Sequence, residues 1–351
     1  MDIRQGPAPV LPGSEWPTAD LAGYVVGEAV WAPSVHNTQP WWYALDPGGL
    51  RLYADPRRRL PVADPAGREM LISCGAALLT ARLALRAVGY EPRTEVLPDP
   101  ARPLLVARLS WHRGADPAGY ERRLSAAVRQ RRTHRGGFSP LPVSPDLLAL
   151  LQEAAACSGA VLRVITDEGA RRALAEAVQV AERALELDPA YVRELTTWTP
   201  APGRGRPDGV PATAYPAHAE RTCPHFPSPD FARGRGWGHQ ALSTAAGRSA
   251  GVVCLLETSS DSPRDWVNAG QALQRILLTC TTWGLAAALH SQPYEADWGR
   301  TSRHPQSNGS GWPQLLLRIG TTVQAGGGVR RARERVLSLA GGEPPGRGGD
   351  A

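Results

Sequence analysis

Ala32-Pro33-Ser34-Val35-His36-Asn37-Thr38-Gln39-Pro40-Trp41 is the stretch of this chain that says most about its fold. Proline fixes φ and has no N–H to donate, so the segment cannot lie in a helix interior or a central strand. We therefore expect a stiff loop between an apolar helix ending near Trp31 and a strand beginning near Trp41. The polar side chains and free backbone amides of this loop suit a flat ligand with a polar rim. Taken alone, the stretch also fits an ordinary Pro/Asn turn.

An internal repeat changes the fold prediction. The stretch that begins at Gly75 reads GAALLTARLALRAVGYEPRTEVLPDP and continues as PLLVARLS, which ends at Ser110. The stretch that begins at Gly270 reads GQALQRILLTCTTWGLAAALHSQPYE and continues, after a loop, as PQLLLRIG. Each is an amphipathic helix, a glycine break, a short strand, a loop, and an apolar strand with Arg108 or Arg318 near its end. We infer two related half-domains; coincidence between two helix–strand units is the alternative.

A cluster of arginines opens the second half and has no counterpart in the first. It reads Arg129-Gln130-Arg131-Arg132-Thr133-His134-Arg135 and follows a helix that starts near Asp116. Arginine presents a planar fork of donors that matches phosphate oxygens, and Thr133 adds a hydroxyl. The run indicates a phosphate site or, alternatively, a solvated basic helix end that is favourable against the helix dipole. The proline loop occurs only in the first half, so the two halves differ in chemistry.

Together these motifs resemble those of the nitroreductase family. The stretch Ala32–Trp41 is similar to the flavin-facing loop of that family, A-P-S-x-x-N-x-Q-P-W, and the arginine run resembles its R-R-S-x-R element. Nitroreductases are normally homodimers that bind flavin at the interface, with one of these elements from each subunit. This chain carries one of each, as in the Acg-type, FMN-binding subfamily of fused nitroreductases. The resemblance covers roughly residues 18–335, with further matches at 52–61, 67–70, 206–211 and 270–275.

The resemblance implies an α+β fold with two tandem nitroreductase-like half-domains that form an intramolecular pseudo-dimer. We expect the first half over residues 14–112 and the second over 113–324, followed by a loosely ordered Gly/Arg/Pro-rich tail over 325–351. A segment over about 196–238, here called the lid segment, is rich in Pro, Gly and Arg but also carries five large aromatic residues. Pure linkers rarely do, so we expect a lid packed over the cofactor.

Local signals agree with an α+β pattern, because helices outweigh strands and do not alternate regularly with them. Apolar spacing predicts helices near 18–31, 65–88, 117–131, 145–157, 168–187 and 263–283. Short apolar runs predict strands near 41–45, 50–54, 103–109, 160–165, 250–256, 285–290 and 313–319. The residues at 64, 116, 144 and 262 are Asp or Ser, and each is followed by a proline. This pattern predicts the start of a helix at each of the four positions.

The resemblance also implies a site for a single FMN per chain. The residues expected at the isoalloxazine ring are Pro33, Ser34, Asn37, Gln39, Ser291 and Gln292. The residues expected at the phosphate and ribityl chain are Arg131, Arg132, Thr133, Arg135, Arg330 and Arg331. Ser291 and Gln292 stand where common nitroreductases carry a glutamate and a glycine, and their backbone amides are expected near flavin N5. Since the flavin carries the chemistry, no side chain is predicted as a catalytic nucleophile.

Two classes of function fit these motifs. In the first, the protein is an oxidoreductase in which NAD(P)H reduces FMN by hydride transfer to N5, and a nitroaromatic, quinone or similar small-molecule acceptor takes the electrons. In the second, the lid segment blocks the ring, and the protein stores or sequesters FMN with little or no turnover. The flavin loop fits both, whereas the lid segment and the departure at Ser291 and Gln292 favour the second. We favour the first, because a bound, reducible flavin seldom lacks all activity, and keep the second as the alternative.

The amino-acid composition excludes several classes of function. The chain has 351 residues and 42% hydrophobic content, enough for one large or two modest cores. It contains no lysine, so a Schiff-base enzyme and a lysine-dependent phosphate loop are excluded. The net charge of +6 is spread along the chain, and no nucleic-acid partner is expected.

Cysteine usage and hydropathy bear on the setting of the protein. The five cysteines are odd in number and show no CxxC spacing, which indicates a reduced, cytoplasmic setting and no metal site. No signal segment is expected in residues 1–13, and no membrane association is expected. As a fused pair, the chain is expected to be a monomer or a weak homodimer.

Overall fold

The computed structural model describes residues 16–218, 222–239, 248–295, 311–322, 327–340 and 342. The helices are α1 (Thr18–Ala29), α2 (Arg68–Ala87), α3 (Gly119–Ala127), α4 (Pro145–Ala156), α5 (Glu168–Leu187), α6 (Pro189–Thr197), α7 (Pro263–Thr282) and α8 (Gln292–Glu295). The strands are β1 (Trp41–Asp46), β2 (Gly49–Ala54), β3 (Tyr90–Val96), β4 (Leu105–Arg113), β5 (Val161–Val164), β6 (Thr222–Cys223), β7 (Arg248–Ser249), β8 (Val252–Thr258), β9 (Leu285–His290), β10 (Trp312–Thr321) and β11 (Leu337–Ser338). The predictions for residues 1–13 and for the tail beyond 342 lie outside the described residues.

Two sheets with the same strand order give the molecule its α+β architecture. The first contains β1-β2-β4-β3 and the second β5-β8-β10-β9, and neighbouring strands within each of these four-strand sets are antiparallel. In the first four-strand set, β3 and β4 follow the 20-residue helix α2. In the second, β9 and β10 follow the 20-residue helix α7. These helix–strand–strand units are the two copies of the sequence repeat, so topology and sequence agree.

The long helices α2 and α7 cross at the glycines that begin the repeat. A Cβ atom on Gly75 would lie 2.1 Å from the carbonyl oxygen of Val267, and one on Gly270 would lie 1.9 Å from that of Ile72. Ile72 and Val267 each stand three residues before the glycine of their own repeat. Reciprocal contact of equivalent residues is the pattern that a two-fold axis produces. Glycine is required at both positions because any side chain would separate the helices.

Most residues of helix α2 are buried. Among the described helices, it alone is long and apolar enough to cross a membrane by length and composition. On one side it packs with α1 and the first sheet, in a cluster that includes Trp41 and Tyr43. On the other side it packs with α7, which joins the core of the second sheet.

Two of the four predicted helix starts are correct. The Ser144 side chain accepts a hydrogen bond from the Leu147 N–H at the start of α4. Ser262 and Asp265 form a capping box at the start of α7. The other two helices begin later than predicted, α2 at residue 68 and α3 at residue 119.

Helix α6 and residues 327–340, here called the chain end, differ from the prediction. Helix α6 was not predicted, although the Asp188 side chain accepts the Ala190 N–H and a proline follows it, a regular helix start. The expectation of a loosely ordered tail is wrong over residues 327–340. There β11 pairs in parallel with β1, and Val336 is fully buried in the first core. The chain end therefore completes the first half.

Candidate functional site

Two adjoining cavities lie between the halves, at the proline loop. The wide cavity contains about 810 Å³ of space and the arginine cavity about 410 Å³, in both cases including space open to solvent. Four residues line both cavities: Pro33, Ser34, Thr133 and Arg135. The loop of the first half and the arginine run of the second half therefore meet, although about 100 residues separate them along the chain.

The proline loop has a strained backbone at this meeting point. His36, Asn37 and Gln39 have positive φ values of 44°, 54° and 51°. Positive φ is uncommon for residues other than glycine and costs free energy unless the surroundings enforce it. One such constraint is the hydrogen bond that the Gln39 N–H donates to the Ser34 hydroxyl oxygen, at 2.9 Å. Strain of this kind is often found at ligand sites, where it fixes side-chain direction.

Asn37 and Gln39 hold the lid segment and the chain end in place. The Asn37 amide donates to the carbonyl of Gly209 at 2.8 Å, and its oxygen accepts from the Arg330 guanidinium at 3.0 Å. Gln39 is fully buried; its amide donates to the carbonyl of Pro207 at 2.9 Å and accepts from the Arg331 N–H at 2.8 Å. Asn37 lines the arginine cavity, but Gln39 lines neither cavity. The structure thus bonds the Gln39 amide to backbone groups, and its contact with the cofactor stays a prediction.

The arginine cavity carries an uncompensated positive charge. Its lining includes Arg131, Arg132, Arg135 and Arg330 and, among the residues that the structure describes, no carboxylate. In the part of the chain that the structure describes, none of the four forms an ion pair. Burial, together with the neighbouring arginines, lowers the pKa of Arg131 well below its usual value, and burial lowers that of Arg135 to about 10. Charges gathered at this cost indicate a site for an anion.

Among the described residues, three basic side chains at the cavities have buried nitrogen atoms without a hydrogen-bond partner. They are Nε of Arg131, Nε of Arg330 and Nδ1 of His36. An unsatisfied buried polar atom costs about 1–3 kcal/mol, so each one needs an explanation. A ligand with an anionic group in the arginine cavity and a polar-edged ring in the wide cavity would provide partners for all three.

Arg331 does not belong to the cavity wall. Its guanidinium donates to the backbone carbonyls of Gln39 and Arg335, at 3.3 and 2.9 Å. It therefore fixes the path of the chain end, and its contact with the phosphate stays a prediction. Arg330, one residue earlier, lines the arginine cavity. The other predicted site residues that line one or both cavities are Pro33, Ser34, Asn37, Arg131, Arg132, Thr133, Arg135, Ser291 and Gln292.

His36 is a candidate site residue that the sequence interpretation did not select. It lines the wide cavity beside Phe231 of the lid segment, whose ring stands edge-on at 6.1 Å. Burial, with the charge of Arg135, lowers the pKa of His36 to about 4, so its imidazole is neutral at pH 7. Its position within the proline loop could have identified it as a site residue. The motif A-P-S-x-x-N-x-Q-P-W, however, accepts any residue at that position.

The far wall of the wide cavity contains Ser291 and Gln292, at the end of β9 and the start of α8. The Ser291 hydroxyl hydrogen-bonds the Glu295 carboxylate. Burial raises the pKa of both Glu295 and Glu182 to about 7, and the charge of Glu182 adds to the effect on Glu295. An acidic pair thus lies behind the wall, which the sequence interpretation did not foresee because α5 and α8 are far apart in the chain.

The fold and the cavities define a protein of two similar halves, with an arginine-lined cavity and a wider cavity between them. No protein-family model matches the chain. It is 34% identical over 322 residues to a protein of Mycobacterium tuberculosis strain H37Rv provisionally named an NAD(P)H nitroreductase, covering 90% of this chain and 89% of that one. It is 29% identical over 307 residues to the acg protein of the same strain, also provisionally named an NAD(P)H nitroreductase, covering 86% and 89%. The chain belongs to this nitroreductase family.

Solved structures similar to this one come from proteins with much lower identity. One, from Anabaena variabilis and provisionally described as a nitroreductase, has a TM-score of 0.42 and 11% identity, covering 88% of this chain and 90% of that one. Another is a nitroreductase with bound FMN from Desulfitobacterium hafniense, with a TM-score of 0.34 and 13% identity, covering 62% and 98%.

Proposed function

We propose that the chain binds one FMN and is an oxidoreductase that uses NAD(P)H to reduce a small-molecule acceptor such as a nitroaromatic or quinone. The observation that carries this proposal is the arginine cavity, with four arginines and no carboxylate in its lining, beside a wide cavity walled by the proline loop. When bound, FMN supplies hydride acceptance and donation at N5 of its ring. The residues of this chain bind it, orient it and limit the access of water.

The phosphate end is assigned to the arginine cavity. Arg131 and Arg330 have unpartnered Nε atoms there, and Arg135 stacks on the Phe231 ring at 5.4 Å, which holds its guanidinium in place. Charge-assisted hydrogen bonds of this kind are stronger than neutral ones. Arg132 adds charge at the rim, and Thr133, which lines both cavities, is placed to meet the ribityl chain.

The ring end is assigned to the wide cavity. Pro33 and Ser34 form one wall, and the opposite side includes Leu273 and Ser291. The neutral imidazole of His36 offers Nδ1 to a polar edge of the ring or of an acceptor. The lid segment closes this side with Phe231, which keeps bulk water from the reacting edge and limits the size of the acceptor.

Anaerobic mixing of the FMN-loaded protein with NADPH or NADH, followed by flavin absorbance, tests the proposal. We expect rapid bleaching and a return of colour when a quinone or nitroaromatic is added. Stable FMN absorbance with both dinucleotides, while light-driven reduction still bleaches the flavin, would contradict an oxidoreductase. That outcome would favour the sequestering protein, in which the lid segment excludes the dinucleotide.

A further inference from the structure

A third cavity lies on the lid segment, outside the site assigned to FMN. This lid groove encloses about 760 Å³ and is formed by the end of α6 and by two stretches of the lid segment, 199–206 and 235–237. Its lining includes Arg204, Arg206, Arg235 and Trp237, and no carboxylate belongs to it within the described ranges. A groove of this composition suits an anion attached to an aromatic group.

The charge of the lid groove is only partly neutralised. Arg206 forms an ion pair with Asp208 at 2.7 Å, but Asp208 is buried and also pairs with Arg58, at 2.8 Å. One carboxylate therefore serves two guanidinium groups. Arg204 and Arg235 are exposed, and within the described residues neither forms an ion pair. The groove thus has two cations available to a ligand.

Aromatic contacts prepare these arginines for phosphate. The Arg235 guanidinium lies 4.9 Å from the Trp237 ring centroid, and that of Arg206 lies 5.8 Å from the Trp198 ring. A guanidinium stacked on a ring is held in one orientation, so it loses less freedom when it binds a phosphate. Thr196, Thr197 and Thr199 also line the groove, and the hydroxyls of Thr196 and Thr199 donate to backbone carbonyls of α6.

The lid groove is close to the wide cavity along the chain. Phe231 lines the wide cavity and Arg235 lines the groove, so four residues join them, which span at most about 14 Å even when extended. The connection is a turn, closed by the bond from the Arg235 N–H to the Ala232 carbonyl. Phe231 also belongs to an apolar cluster against which Trp237 packs, so one cluster includes side chains from both sites.

We propose that the lid groove binds the phosphorylated adenosine half of the reduced dinucleotide. This proposal rests on the proposed function, because a dinucleotide whose nicotinamide reaches the wide cavity must place its second half on a neighbouring surface. FMN is assigned to the two inner cavities, and the lid groove adds the cations and the aromatic ring that an adenosine phosphate needs. A free nucleotide presents the same chemistry, so the experiment separates the two sources.

The test uses the FMN-loaded full chain and the variants Arg204→Ala and Arg235→Ala. Calorimetric titration with adenosine 2′,5′-bisphosphate should show binding to the unchanged protein, weakened roughly ten-fold or more in each variant, since each loses a charge-assisted bond to phosphate. The KM for NADPH should rise by a similar factor with kcat retained. Arg193→Ala, which removes an exposed arginine of α6 outside the groove, should change neither quantity.

The outcomes distinguish the possibilities. A rise in KM for NADPH alone assigns the groove to the 2′-phosphate, and an equal rise for NADH assigns it to the shared pyrophosphate; both support the proposal. Nucleotide binding that the variants weaken, with KM unchanged for both dinucleotides, identifies a free-nucleotide site and overturns it. Absence of nucleotide binding also overturns it. If the proposed function itself fails, FMN content or flavin bleaching is lost in the unchanged protein.

Discussion

Arg131→Met is expected to have opposite effects on the stability of the FMN-free protein and on FMN binding. Arg131 is 3% exposed and belongs to a group of four arginines that lacks a carboxylate. Methionine keeps much of its volume but removes the charge, which relieves repulsion from Arg132, Arg135 and Arg330. Replacement of buried ionic groups by apolar ones commonly stabilises proteins by about 1–4 kcal/mol. FMN binding should weaken, because a charge-assisted bond contributes ~1.5–3 kcal/mol, or roughly ten- to a hundred-fold in affinity.

The assay combines calorimetric unfolding of FMN-stripped protein with a titration of FMN fluorescence. We expect a higher Tm without FMN and a higher Kd for FMN. The matched control is Arg129→Met, because Arg129 lies two residues away but is 60% exposed, pairs with Glu28 and lines neither cavity. A lower Tm for Arg131→Met together with unchanged FMN affinity would refute the argument, since Arg131 would then be a structural residue.

Three further predictions concern stoichiometry, packing and pH. Heat release of flavin should give one FMN per chain, because the proline loop and the arginine run occur once each; a ratio near two would reveal a second site. Gly270→Ala should destabilise the protein by ~1–3 kcal/mol or more in chemical unfolding, because its Cβ would lie 1.9 Å from the Ile72 carbonyl oxygen. Gly27→Ala in α1 should be neutral or stabilising, because the nearest atom to its Cβ would be a side-chain atom at 3.7 Å. Equal effects of the two substitutions on stability would contradict the close crossing of α2 and α7 at Gly270. Burial raises the pKa of Glu295 from 4.5 to about 7, so the folded state binds this proton more tightly than the unfolded state does. The stability of the protein should therefore decline as pH rises from 5 to 8. Glu295→Gln should flatten the decline of Tm with pH, and an unchanged slope would contradict this role of Glu295.

The sequence predicted the parts of the fold that depend on local signals. The repeat from Gly75 and from Gly270 predicted two equivalent helix–strand units, and the structure contains them with the same strand order. Serine caps fixed the starts of α4 and α7. These features depend on residues within a few positions of one another, so composition and spacing are sufficient to find them.

The contacts that the sequence did not reveal belong to residues whose partners are distant in the chain. Gln39 has the expected residue type at the expected position in the loop, but its amide binds the chain near 207 and 331. Arg331 likewise binds backbone carbonyls, one of them on the proline loop. A motif identifies which residues accompany a site, but the direction of each side chain depends on segments that the motif does not contain.

The position of Arg330 in the arginine cavity has a consequence for the order of assembly. Proteins generally fold from the N-terminus as they are synthesised. Both sheets and the crossing of α2 and α7 can form before residue 327, but Asn37 finds its partner at residue 330 only afterwards, and β11 joins β1 later still. The cavity wall is thus completed only after residue 330 has been synthesised. A chain that folds in this order would form both sheets and the crossing of α2 and α7 before it completes the cavity.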